Sequence, residues 1–349
     1  MVAKQPHLEL RTSPHVKRGV TVERIMLNVV LALLPIALFS VWQYGLSALA
    51  LIVAVTLTCI LTERMFNRLG SQAGSLSDWS ATITGLLLAL TLPPSFPLWM
   101  GVVAGFIAIA LGKALFGGIG SNVFNPALIG RAFVQAAFAV SISTWAPAYA
   151  PHRFSEFIPT TFTMPFMTPA DIADWAKHAL DGFTGATPMA RWKFETYFTP
   201  AQDFLSGAAT ASAGETSAIL ILLCGAYLAA RKFMDWRIPV AVLGAAALTA
   251  LAFQIYNPER YPDPLFVMLS GGLMLGAVFM ATDMATSPVT PRGVWIYGAI
   301  IGVVTVMIRY FGGLTEGVMY AILLGNALAP LIDQYTQPKV FGERAKVKK

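Results

Sequence analysis

The chain alternates long apolar runs with short polar joints. Ten runs stand out, at roughly 24–44, 46–62, 79–93, 98–115, 126–145, 215–231, 237–256, 264–282, 293–311 and 315–333. Most approach the ~20 residues that an α-helix needs to cross a hydrocarbon core of about 30 Å. The pattern predicts an all-α polytopic membrane protein. The third run is short and stops at Leu92-Pro93-Pro94, and the eighth ends in "FMATDMATSP", where Asp283 comes directly after the apolar stretch.

One polar segment is far longer than the other joints: 146–214 separates five runs from five. An odd number of spans per half sets the halves in opposite orientations, as in inverted-repeat transporters. "TGLLLALTLPP" (84–94) and "GAVFMATDMATSP" (276–288) each end a run with a helix-breaking stretch. Each is followed by a further span and then by a Gly/Asn-rich segment, "FGGIGSNVFNPALIG" (116–130) or "FGGLTEGVMYAILLGNALAP" (311–330). The expected organisation is a terminal segment (1–23), a first repeat (24–145), the polar loop (146–214), a second repeat (215–333) and a basic tail (334–349).

Composition sharpens this. Of 349 residues, 56% are hydrophobic and 12% charged, against about 25% charged in soluble domains. The first 24 residues are polar and basic, and no small-residue cleavage site comes after them, so no cleavable signal peptide is expected. The net charge of +6 does not point to nucleic acid, because the basic residues collect beside apolar runs, where they report topology. Arg231, Lys232 and Arg237 lie in one joint, and Lys339, Arg344, Lys346, Lys348 and Lys349 in the tail. The positive-inside rule then puts both termini in the cytoplasm and 146–214 on the outer face.

The candidate chemistry is sparse. Cys59 and Cys224 lie far apart inside apolar runs, and His7, His15, His152 and His178 form no ligand pattern, so no metal site is expected. Asp283 is either a cation- or ligand-facing carboxylate or a helix-end residue in water. Asn122 and Asn125 in "SNVFNPA" offer amide donors and acceptors suited to the edge of a flat heterocycle. Asn125 and Pro126 also read as the cap and first residue of a helix, which leaves Asn122 and the Gly117-Gly118 pair unexplained. Lys113 reads as a side chain snorkelling to the interface. In "LDGFTGATPMARWK" (180–193), Gly185 and Ala186 leave the Thr187 hydroxyl unshielded, and Pro188 stiffens the chain after it. No Ser-His-Asp arrangement surrounds it.

"DGFTGATPMA" (181–190) resembles the flavin-attachment motif of the RnfD/NqrB family of bacterial membrane redox subunits, with "SPH" (13–15), "FNPALIGRAF" (124–133) and "FMATDMATSP" (279–288) as further landmarks in order. The resemblance implies covalent FMN, esterified through its phosphate to Thr187 by a flavin transferase. Asp181, Gly182, Thr184, Gly185 and Ala186 form the recognition sequence; Thr184 stands where the family often has serine. It implies non-covalent riboflavin near the cytoplasmic side, lined by Asn122 and Asn125, with Asp283 at the equivalent place in the second repeat. The short N-terminal segment is similar to the RnfD branch. That branch implies partner subunits A, B, C, E and G of an inner-membrane complex passing electrons between ferredoxin and NAD, coupled to Na⁺ or H⁺ movement. The implied fold is similar to that of ammonium and urea channels, so a transporter without redox chemistry is the competing expectation.

Overall fold

A computed structural model describes residues 21–69, 78–118, 120–170, 172, 175, 186–195, 197, 203–204, 211–215 and 217–338. Within these the chain is helical throughout, with no strand. The first half holds α1 (Val22–Tyr44), α2 (Leu46–Leu69), α3 (Ser80–Thr91), α4 (Leu98–Ala110), α5 (Pro126–Ala137) and the single turn α6 (Ala139–Ile142). The loop contributes α7 (Pro188–Glu195). The second half holds α8 (Ala218–Ala230), α9 (Arg237–Tyr256), α10 (Pro264–Leu269), α11 (Leu273–Leu275) running on as a π-turn (Gly276–Met280), α12 (Pro291–Phe311) and α13 (Val318–Thr336).

Each of the ten apolar runs is therefore helical. Among the described residues, five stretches are long and apolar enough to cross a membrane: Val22–Tyr44, Leu46–Arg68, Leu98–Phe116, Arg237–Tyr256 and Pro291–Phe311. Their outer faces have the chemistry of lipid-facing surfaces. Helix α2 exposes Leu49, Val53, Leu57, Leu61 and Met65 at four-residue spacing, while Leu51, Val55 and Cys59 on its other side are fully buried. So long an exposed apolar stripe is stable against lipid or another subunit, not against water.

The two halves repeat one packing scheme. Helix α4 lays Gly101 and Gly105 against Leu51, Val55 and Cys59 of α2, and the Cys59 thiol donates to Gly105 O at 3.6 Å. Helix α12 lays Gly298 and Gly302 against Ala241, Val242 and Ala246 of α9. A side chain on Gly302 would put its Cβ 2.8 Å from Ala246 N. Small residues four apart are what let membrane helices approach this closely. Likewise α2 packs on α3 and α4, α4 on α5, and correspondingly α9 on α10 and α12, α12 on α13.

The broken helices end inside the protein, where their last carbonyls need partners. At the end of α3, Arg131 of α5 donates to Thr91 O. The returning segment 211–215 adds Gly214 N to Leu90 O at 2.6 Å and Ala213 N to Leu92 O at 3.1 Å. At the end of α10, the fully buried Arg309 donates to Val267 O at 2.6 Å and Ser270 O at 2.9 Å. The eighth run thus breaks at Ser270-Gly271-Gly272, earlier than the Asp283 end its sequence pattern emphasised.

Helix α1 gives the molecule two ends. Its 23 residues span about 34 Å at 1.5 Å per residue. Its C-terminal end holds the polar loop: Gln43 O accepts from Tyr149 N at 3.0 Å, Trp42 O from Arg153 Nε at 2.9 Å, and Tyr44 Oη donates to Ala211 O at 3.1 Å. Its first turns, by contrast, line a cavity.

Candidate functional site

That cavity is a slot with an open mouth, holding about 130 Å³ of space for the centres of water-sized molecules. Its apolar wall comes from both halves, with Ile25 and Val29 of α1, Leu87 of α3, Leu228 of α8, Phe233 and Phe279. Its polar groups are Asn122, Asn125, Asp283, Lys113, Ser80, Thr84 and Thr282. An apolar slot with a few convergent polar groups is what small-molecule sites look like. The structure therefore brings together the three side chains, Asn122, Asn125 and Asp283, that sequence separates by up to 161 positions.

Each is held by a local device. Asn125 caps α5: its Oδ1 accepts from Ala127 N at 3.0 Å and Leu128 N at 3.4 Å, with Pro126 as the first helical residue. Its Nδ2 reaches the other half, donating to Met280 O at 3.3 Å. Asn326 of α13 meets the same point when its amide is turned so that the oxygen accepts from Asn125 N at 3.1 Å. Asn125 thus ties the two halves of the chain together as well as lining the cavity. Asn122 is less committed, donating to Phe124 O at 3.4 Å. Asp283 stays at the cavity edge, where its carboxylate accepts from Ala285 N at 3.2 Å and Thr286 Oγ1 at 3.4 Å and so shapes the turn after the π-helix.

The glycines that capping left unexplained now have a reason. Gly117 and Gly118 both adopt φ +101°, a left-handed conformation that a side chain would strain. They fold the chain back so that Asn122 returns over the cavity entered by Lys113.

Lys113 corrects an expectation. It does not snorkel: its side chain is buried, and Nζ donates to Glu63 Oε1 on α2 and to Ser80 Oγ on α3. Ser80 Oγ in turn donates to Asp78 Oδ1 at 2.7 Å, and Asp78 also accepts from Ser80 N at 3.0 Å. Beside Lys113, Gly112 packs against the start of α5, where an added Cβ would lie 2.8 Å from Pro126 Cα. Sequence held one clue, a lysine inside one apolar run and a glutamate directly after another, but not that the two meet.

Thr187 lies at the other end, in the polar loop. Its Oγ1 accepts from Ala190 N at 3.2 Å, its carbonyl accepts from Arg191 N at 2.9 Å, and Pro188 opens α7, so Thr187 caps that helix. The expected unshielded hydroxyl is instead buried, with the residue 4% exposed, because the cap folds it against its own helix. Asp181, Gly182, Thr184 and Gly185 fall outside the described residues; Ala186 is described. Helix α7 is docked on the end of α12. Lys193 Nζ donates to Arg309 O at 2.9 Å, Leu314 O at 3.2 Å and Gly312 O, and Trp192 packs on Tyr310 with ring centroids 5.4 Å apart. Burial pushes the Lys193 ammonium below its ordinary pKa, while carbonyls at a helix C-terminus favour the cation that meets them. Of the cysteines, Cys59 is buried and Cys224 half-buried, both as free thiols.

Known proteins resemble the chain along nearly its whole length. A profile of the NQR2, RnfD, RnfE family matches residues 9–342. The chain is 37% identical over 345 residues to the D subunit of the proton-translocating ferredoxin:NAD(+) oxidoreductase complex of Clostridium ljungdahlii, covering 96% of each. It is also 37% identical over 343 residues to the D subunit of the Na(+)-translocating ferredoxin:NAD(+) oxidoreductase complex of Acetobacterium woodii, covering 98% of each. A third relative, the D subunit of the ion-translocating oxidoreductase complex of Halorhodospira halophila, is 36% identical over 355 residues, covering 96% of this chain and 95% of its own.

Proposed function

The chain belongs to the NQR2, RnfD, RnfE family, and from that membership we propose that it is the D subunit of an ion-translocating ferredoxin:NAD⁺ oxidoreductase complex. It acts only within that complex, beside subunits A, B, C, E and G. It is a multi-pass protein of the inner membrane with both termini in the cytoplasm and Thr187 in a periplasmic loop, as the Lys/Arg distribution favours.

In this reading the chain carries two flavins at its two ends. FMN is esterified through its phosphate to Thr187 by a flavin transferase, and riboflavin is held in the cavity between the repeats. The chemistry of both sites suits these groups. A phosphoryl group on Thr187 Oγ1 would sit at the positive end of α7, which favours an anion. The hydroxyl is buried under its cap, so the transferase must catch the loop with α7's first turn opened. In the cavity, apolar walls suit the faces of an isoalloxazine ring and the amides of Asn122 and Asn125 its polar edge. The flavins supply one-electron chemistry; the protein supplies position and field. A tether at Thr187 keeps an outward-facing cofactor from diluting into the periplasm. Asp283, at the cavity mouth, stands where ion uptake and redox state can be coupled. The coupling ion is Na⁺ or H⁺.

The observation that carries the flavin reading is a "DGFTGATPMA" motif whose last threonine is a helix cap. Chain co-expressed with a flavin transferase should give a denatured gel band that fluoresces under ultraviolet light. Thr187→Val should abolish the band's fluorescence. A dark wild-type band from a competent host would favour a channel-like transporter without redox role.

A further inference from the structure

Among the described residues lining the cavity, Lys113 is the sole Lys or Arg. We propose that Lys113 sets the electron affinity of the cavity flavin, and that Glu63 behind it sets how strongly; this rests on the reading that the cavity holds a flavin.

The Lys113 side chain is 6% exposed and that of Glu63 is 5% exposed. Burying such a pair costs several kcal/mol of desolvation per ion, and a hydrophobic pair of the same size is often as stable. Stability alone is therefore a weak reason for an ion pair here. The arrangement is also asymmetric: Lys113 and Ser80 line the cavity, whereas Glu63 lies behind on α2, outside the lining. The cavity therefore meets the positive member of the pair first.

An electron entering a neutral flavin brings one negative charge into a space walled mainly by apolar side chains. Charge interactions are strong in such surroundings. The electron comes from a one-electron carrier in a partner subunit, an iron–sulfur or flavin centre, and no bond or proton need move. Lys113 offsets the new charge while Ser80, anchored by Asp78 at the start of α3, keeps the ammonium from folding back wholly onto Glu63. Asp283 and the amides of Asn122 and Asn125 face the same space. Asp283 is the opposing charge that Lys113 must outweigh. Glu63 is a positioning residue, touching the flavin only through Lys113.

The test uses the full chain in lipid nanodiscs, expressed without flavin transferase on a Thr187→Val background so that the cavity flavin is the sole one. Flavin content is measured by extraction, and the midpoint potential by titration with dithionite. Lys113→Met should weaken electron binding about tenfold or more, close to 59 mV lower for a one-electron step. Glu63→Gln should shift it upward, because the lysine is no longer half-neutralised. Opposite shifts are what a merely structural pair would not produce. Should Lys113→Met fail to fold, the near-isosteric Glu63→Gln carries the test alone. Unmoved potentials, or shifts of the same sign, with flavin retained would overturn the role given to Lys113. A parent protein without extractable flavin would instead overturn the cavity reading beneath it.

Discussion

Thr187 and Asn125 each cap a helix and are each proposed to hold a flavin, and the two roles leave different traces when the side chain is changed. Thr187 caps α7, so Thr187→Val should cost about 1 kcal/mol of local stability as well as the flavin. Thr187→Ser keeps a hydroxyl in the same place. It should retain both the cap and in-gel fluorescence, and a dark serine variant would mean that the β-methyl, not the hydroxyl alone, is read. Asn125 caps α5 and ties it to Met280 O. Asn125→Ala should lower the thermal midpoint and release non-covalent flavin on purification; full retention of flavin would remove it from the cavity's binding groups. At this scale the sequence disclosed the cap at Asn125-Pro126, because capping is local. It did not disclose the ion pair of Lys113 with Glu63, because a contact across 50 positions leaves no local signature.

Helices were the most readable feature, since an apolar run of about 20 residues in a chain this poor in charge has few alternatives. Where the helices break was less readable. Pro93-Pro94 marks the end of α3 openly, but the break after α10 falls at Ser270-Gly271-Gly272, inside an apolar run, and its cost is met by Arg309 from 39 and 42 residues away. The glycine pairs Gly101/Gly105 and Gly298/Gly302 were not singled out in the sequence, because their role depends on the helices they face. Gly302→Leu should force α12 off α9, costing roughly 1–3 kcal/mol as overpacking does, read as a lower melting point in detergent. Gly313→Leu, where a Cβ meets nothing within 4 Å, should leave the melting point near wild type. Equal melting points for the two variants would refute the close-packed α9–α12 seam.

At the scale of the whole molecule, the cavity meets the first turns of α1 and the polar loop its last turn, roughly 20–30 Å apart at 1.5 Å per residue. Two flavins held there, as proposed, would need intermediate carriers, which fits a subunit of a larger complex rather than a self-sufficient enzyme. The relatives' names differ on the ion: 37% identity is shared with a proton-translocating and a Na⁺-translocating complex alike. Overall similarity therefore does not select between them, and a direct measurement must. In vesicles carrying the whole complex, Asp283→Asn should lower the number of ions taken up per electron transferred. An unchanged ratio would take Asp283 out of the ion path.

The central claim is that mature chain carries one flavin phosphate on one hydroxyl. Mass spectrometry of the intact chain purified from a host with its flavin transferase tests it most directly, with peptide mapping to locate the increment. The expected result is a gain of one FMN less one water, confined to the peptide containing Thr187 and absent from Thr187→Val. An unmodified Thr187 peptide in fully matured protein, or the increment on another residue, would contradict it.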